Sequence, residues 1–415
     1  MRSKNTGVGW SITQDRVGTE PAPARVLLIG NSRGWGLTYY NAVLALAMQR
    51  EGVPVVVMST AGDQTPGLHE RLRAGGITVL DDPAFDVQDL GAVWRAARVI
   101  AEAALSGLNI VHTEGVRHAV AARLARRLLP RDKQLAVTTV LGAMRHCSRL
   151  WPLYYAAGAA TLNVASDRVF LLSADEKRKM INCGLRRYKA GVAHFIVDDG
   201  AFARPSIDTA ALREIIGDDR VLDPHFQKAV YLAQFRESKR QKSLLHAWKT
   251  VRSRFPRLLL VLAGSGPLFQ ECRDLAAALG IADQVCVLPR IPREAVPALL
   301  SLCSYAVVPS RAETFGSCIV EPLLAGLPVC TTRVGVACEL AAAGGVHILE
   351  KTDPGSLAAE LLDFFSTRDQ QLDRMRIGRQ WVLDHCAESR FVAKLRESWR
   401  EFSAQGLLDA AVGEM

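Results

Sequence analysis

Val308-Pro-Ser-Arg-Ala-Glu-Thr-Phe-Gly-Ser-Cys-Ile-Val-Glu-Pro-Leu-Leu-Ala-Gly-Leu-Pro-Val329 is the stretch on which the reading of this chain turns. It opens as the end of an apolar strand that stops at Pro309, passes through a turn containing Gly316, and becomes helical from about Ser317. A helix starting there presents free amide N–H groups and the positive end of its dipole, which suit a diphosphate or the oxygens of a sugar. Glu313 precedes the turn and Glu321 sits near the second helical turn. A phosphate alone would repel two carboxylates, so the ligand is expected to carry hydroxyls as well.

Outward from this turn the chain alternates strands and helices. Before it lie apolar strand-length runs at residues 229–233, 258–263, 285–288 and 305–308; after it comes 329–331. The run at 258–263 ends in Gly264-Ser-Gly-Pro267. The first half repeats the pattern: strand 25–30, helix 38–51, strand 53–58, then runs at 76–80, 109–112, 135–139, 168–172 and 194–197. Ser173 is placed to cap a helix, with Glu176 three residues on. Alternation on this scale predicts an α/β protein with two Rossmann-like domains, each a parallel sheet covered by helices. Ligands in such sheets sit beyond the carboxyl ends of strands, and a central cleft between the domains is the expected site. The expected divisions are a leader at 1–23, an N-terminal domain at 24–205, a linker at 206–224, a C-terminal domain at 225–390, and a terminal helix at 391–415 packing back on the first domain.

The residues Pro309-Ser310, Glu313, Phe315, Gly316, Glu321 and Gly326-Leu-Pro-Val329 resemble the signature of GT4-type glycosyltransferases of the GT-B fold. Residues 260–267 resemble that family's strand and G-x-G-P turn, residues 281–289 its next short strand, and 350–357 its D-P-x-x-L run. The resemblance covers nearly all of 225–365 and is looser over 25–205. It implies transfer of a sugar from a nucleotide-diphosphate sugar, by default a UDP-sugar, to a hydroxyl acceptor with retention at the anomeric carbon. It implies catalytic roles for Glu313 and Lys239, the latter standing in the place of the family's diphosphate lysine. Donor contacts carried over are Gly34, Gly36, Gly264, Ser265, Gly266, Arg290, Ile291, Phe315, Gly316, Ser317, Cys318 and Glu321, with Glu321 on the ribose.

Two positions depart from the pattern. Gln234 stands where the family usually has Arg, and Leu141 where its strand ends in His-Gly. His112 and His146 are the acceptor-side candidates to replace that histidine. No D-x-D occurs, so no metal is expected, nor any cofactor beyond the nucleotide-sugar co-substrate. The two departures keep open a non-catalytic sugar-nucleotide-binding subunit, and a sugar-nucleotide 2-epimerase shares the architecture.

Charge speaks to the acceptor. The net charge is +9, and residues 1–205 hold 26 Lys+Arg against 17 Asp+Glu, while 206–415 hold 25 of each, so the first half carries the whole excess. The basic stretches 117–133 and 177–189 suit an anionic or lipid-linked acceptor, or peripheral contact with the inner face of a membrane; a solvated helix face is the plainer alternative. No aromatic-interleaved basic motif accompanies them, so nucleic acid is not expected. Nine cysteines without a C-x-x-C pair, several inside apolar runs (Cys286, Cys303, Cys330), read as reduced buried thiols in a cytoplasmic chain.

Overall fold

The central apolar runs become short strands buried on both faces, as parallel strands covered by helices must be. The structure is a computed structural model and describes residues 26–29, 35–59, 68–81, 89–133, 135–142, 150–197, 199–203 and 207–404; the expected leader at 1–23 lies outside them. Strands β1 Val26–Ile29, β2 Val55–Ser59, β3 Thr78–Asp81, β4 Ile110–Glu114, β5 Ala136–Leu141, β6 Arg168–Leu171 and β7 Ala190–Val192 form one sheet in the order β3-β2-β1-β4-β5-β6-β7. Strands β8 Gln227–Leu232, β9 Leu258–Ala263, β10 Val285–Leu288, β11 Tyr305–Val308, β12 Val329–Thr331 and β13 His347–Ile348 form the other, in the order β10-β9-β8-β11-β12-β13. Pairing is parallel, with β8 between β9 (Ala229 beside Leu260) and β11 (Ala229 beside Tyr305).

Each sheet therefore reverses its winding direction at one place: between β1 and β4 in the first, and between β8 and β11 in the second. Chains leaving two neighbouring strands there turn to opposite faces and leave a crevice at the carboxyl ends.

The chain folds as two compact units, and the division falls within β5. One unit comprises Met1–Thr138, Ala165–Asp167 and Leu395–Met415; the other comprises Thr139–Val164 and Arg168–Lys394. In the first, helix Leu90–Leu105 is capped by Asp89, whose carboxylate accepts from Ala92 N at 2.7 Å, and lays Val93, Ala96, Ala97 and Ile100 on Leu27, Ile29 and Val111. The C-terminal helix Glu388–Ala404 serves each unit with different residues. Phe391 meets Phe170 of β6 and Lys394 donates to Val192 O at 2.7 Å in the second unit, while Arg396 donates to Glu51 O at 2.6 Å in the first.

Three local readings differ from expectation. The last strand of the first sheet is β7 Ala190–Val192, not 194–197, because its partner β6 ends at Leu171 and the chain then leaves the sheet through the Ser173 cap. Residues 206–224 hold a helix, Thr209–Ile216, capped by Asp208 and stopped by Gly217 at φ 65°. Helix Trp151–Ala165 was unmarked in the sequence, since it has no polar face to reveal a helical period. The Ser173 cap is as read: its hydroxyl accepts from Glu176 N at 3.2 Å.

Candidate active site

Lys239 and Glu313 come from turns that follow neighbouring strands of the second sheet, and Glu321 from the helix after the second of those turns. β8 ends at Leu232, and the chain crosses to a short 3-10 turn at Glu237–Lys239 closed by Arg240. Arg240 is left-handed at φ 56°, the one non-glycine residue with positive φ among those described. β11 ends at Val308, and Ser310–Gly316 leads into helix Ser317–Leu324, whose cap Gly316 has φ 102°. A Cβ at Gly316 would press on the Ile319 side chain as well as strain the backbone.

The two turns are tied across the switch point. Lys239 Nζ donates to Glu313 Oε1 at 2.6 Å, both side chains largely buried. Ser310 Oγ donates to the same oxygen at 2.7 Å and shares a 2.6 Å bond with the Tyr231 hydroxyl. Arg311 N donates to Ser238 O at 2.7 Å. Burial pushes the Tyr231 phenol well up, so it keeps its proton and stays a donor. The Cys318 thiol, 3.5 Å from Glu313 Oε1, is pushed well up by burial and then by the Glu313 charge, so it remains a neutral thiol.

The rim continues on both sides. After β9 the turn at Gly264–Gly266 is bonded to the turn after β8, with Phe235 N donating to Ser265 O at 2.9 Å. A Cβ at Gly264 would collide with the Ala233 carbonyl, and one at Gly266 with the Phe235 backbone, so both must be glycine. After β10, Arg290 is exposed and Ile291 buried, and Arg293 Nη1 donates to Glu321 Oε1 at 2.7 Å. Glu321 itself is 5% exposed in the second turn of its helix. Phe315 is buried and stacks on Phe195 at 5.7 Å. Its backbone oxygen accepts from Val336 N, and Gly335 packs so close to it that no side chain fits.

Lys239 and Glu313, the Gly264–Gly266 turn, and the Arg293–Glu321 pair thus stand along a rim at the carboxyl ends of β8, β9, β10 and β11. Chemically this rim offers an ammonium, the amide-bearing start of a helix, and two carboxylates able to accept hydroxyl protons. Other expected residues fall elsewhere. His112 lies in β4 of the other unit, 1% exposed, its Nδ1 2.8 Å from Thr138 Oγ1; burial lowers its pKa to about 3, so its ring is neutral. Gly36 lies in helix Trp35–Arg50, while Gly34 and His146 lie outside the described residues. Gln234 is exposed and its carbonyl accepts from Gln241 Nε2. Leu141 ends β5 with its side chain buried.

The sequence reading missed Tyr231 and Arg293. Tyr231 sits in a core strand where an aromatic needs no further reason, and Arg293 is 28 positions from its partner Glu321. No local spacing marks either. Among the described residues, no group of three or more His, Cys, Asp and Glu is placed to hold a metal ion. The described cysteines are free; Cys272 and Cys303, pushed up by burial to about 11 and about 12, are poor thiolates.

Comparison with known proteins agrees with this architecture. Residues 214–381 match the family described as glycosyl transferases group 1. An uncharacterised glycosyltransferase of Bacillus subtilis is 34% identical over 150 residues, covering 36% of this chain and 42% of that protein. A GDP-mannose-dependent α-(1-6)-phosphatidylinositol monomannoside mannosyltransferase of Mycolicibacterium smegmatis is 27% identical over 198 residues, 46% of this chain and 50% of its own. The chain thus spans half or less of the length of these relatives. Among solved structures, Anabaena HepE in complex with UDP-glucose superposes with a TM-score of 0.72 at 16% identity, over 90% of this chain and 98% of that one. A Rickettsia africae glycosyltransferase gives 0.74, also at 16% identity, over 92% and 99%. With the candidate site residues on the carboxyl rim of the second sheet, the chain has the GT-B fold, and its residues 214–381 match the group 1 glycosyl transferases.

Proposed function

We propose that this protein is a glycosyltransferase that takes a nucleotide-diphosphate sugar as donor and passes the sugar, with retention, to a hydroxyl of a glycan, lipid-linked or small-molecule acceptor. The observation that carries the reading is the Lys239–Glu313 pair, 2.6 Å apart beside the start of helix Ser317–Leu324. In the donor complex the Lys239 ammonium turns to the diphosphate, and the released Glu313 accepts from sugar hydroxyls. The first amides of the helix add N–H donors, and Glu321, held by Arg293, accepts from the ribose hydroxyls.

In the transfer step the anomeric carbon–phosphate oxygen bond breaks and the acceptor oxygen bonds to that carbon on the same face. The acceptor's proton goes to the departing phosphate oxygen. Lys239 then stabilises charge that grows as the bond breaks. No protein base is needed on this route, which is compatible with Leu141 standing where a histidine would otherwise be expected. The chemistry needs no metal in this reading.

A thermal-shift panel of UDP-, GDP-, ADP- and TDP-sugars tests donor binding. UDP-sugar is the default; the name of the mycobacterial relative makes GDP-mannose the first alternative. One sugar nucleotide should raise the melting temperature, and Glu321→Ala should abolish that rise. No shift with any donor would refute the reading. Product configuration by NMR tests retention, and an inverted product would rule it out. Conversion of donor without acceptor would point to an epimerase, and binding without turnover to a sugar-nucleotide-binding subunit.

A further inference from the structure

Helix Trp151–Ala165, Trp-Pro-Leu-Tyr-Tyr-Ala-Ala-Gly-Ala-Ala-Thr-Leu-Asn-Val-Ala, contains no charged residue. Its inner face, Tyr155, Ala159 and Leu162, is fully buried. Its outer face repeats at helical spacing through Leu150, Leu153, Tyr154, Ala157, Ala160 and Val164, all exposed. Leu153 is 68% exposed and Val164 63%. A helix apolar on every side is ordinarily covered on every side. Here half the circumference meets solvent as one stripe, about 22 Å long.

What adjoins the stripe says what covers it. Asn163, near the helix end, accepts from Arg186 N at 2.9 Å and from Lys189 Nζ at 3.0 Å, and donates to Gly184 O. The turn so attached, residues 182–192, carries Arg186, Arg187 and Lys189 and no acid. Between them Tyr188 is 66% exposed, its hydroxyl accepting from Arg186. An apolar stripe bordered by cations and an amphipathic aromatic matches the boundary of an anionic bilayer. A second copy of this chain would bring the same cations, a poorer match. At 15 residues the helix is too short to cross a bilayer, and among the described residues no helix is long and apolar enough to do so.

We propose that this protein docks on anionic membranes with helix Trp151–Ala165 lying in the interface and the Arg186–Lys189 turn against the lipid headgroups. The docking is independent of the donor chemistry. The test is co-sedimentation of the full chain with vesicles of phosphatidylcholine alone or mixed with phosphatidylglycerol. The wild type should partition onto the mixed vesicles and little onto the neutral ones. Leu153→Gln should lower the partition coefficient about tenfold. Arg186→Gln with Arg187→Gln should lower it by about fivefold per cation removed, the loss shrinking at high salt. These side chains are exposed, so the melting temperature should stay unchanged, and the two variants act through different physics. Failure of the wild type to bind mixed vesicles, or equal binding by all three proteins, overturns the proposal. So does a Leu153→Gln variant that converts a dimer to monomer while vesicle binding is unchanged, which would give the face to a second copy.

Discussion

Lys239 and Glu313 occupy each other in the resting site, and Ser310 donates to the same carboxylate oxygen. Removing the ammonium leaves Glu313 bonded to Ser310 but without its neutralising partner. Lys239→Ala is expected to lower kcat by about a hundredfold or more, the scale of losing one charge-stabilising donor, and to lower the melting temperature as well, because Glu313 is left largely buried and unpaired. Steady-state rates at saturating donor check this. His112 makes a prediction of the opposite kind. Its pKa falls to about 3 on folding, from 6.5. Between those values the unfolded chain binds a proton that the folded chain refuses, so this contribution to stability is present above pH 6.5 and lost as pH falls through the window. From pH 7 to pH 5 the wild type should lose about 2 kcal/mol more than His112→Asn in urea unfolding. Equal losses would show that the ring is not held neutral.

Among the elements, those whose job is written locally were the legible ones. The strand, turn and helix from Val308 to Leu324 could be read because proline, glycine and the two glutamates sit at fixed offsets, and the Ser173 cap because serine and Glu176 are three apart. Helix Trp151–Ala165 was illegible for lack of polar contrast, and β7 was misplaced because its limit is set by the short partner β6. Tyr231 and Arg293 entered the site only through partners far along the chain. Helix packing supplies another such case. Helix Arg368–His385 crosses residue 345 so closely that the Gly378 and Gly345 backbones touch, and a Cβ at 378 would meet the Gly345 carbonyl. Gly378→Ala should destabilise by about 1–3 kcal/mol through overpacking. A thermal melt matching the wild type would contradict that contact.

At the scale of the whole molecule, the repeated strand order puts one winding reversal in each sheet, and the alternation of the sequence was enough to predict the architecture. The return of the C-terminal helix to the unit that begins the chain was an expectation of the sequence; the division within β5, with Ala165–Asp167 returning to the first unit, was not legible there. Trp399 on the C-terminal helix is 2% exposed. Trp399→Ala should destabilise by about 3–5 kcal/mol. Limited proteolysis should then cut the C-terminal segment first; unchanged resistance would show that the return is dispensable.

The resting ion pair also bears on selectivity among ligands. An incoming phosphate must displace a carboxylate already 2.6 Å from the ammonium, and a lone phosphate would leave Glu313 as an unneutralised, largely buried anion. A free nucleotide or inorganic phosphate therefore meets opposition, whereas a molecule bringing an anion for Lys239 and hydroxyls for Glu313 satisfies both at once. For the sugar-nucleotide donor proposed above, the pair forms a latch with two wards, one for each end of the glycosidic phosphate. On that proposal a nucleotide that has given up its sugar no longer holds the second ward, so the closing of Lys239 back onto Glu313 favours its departure.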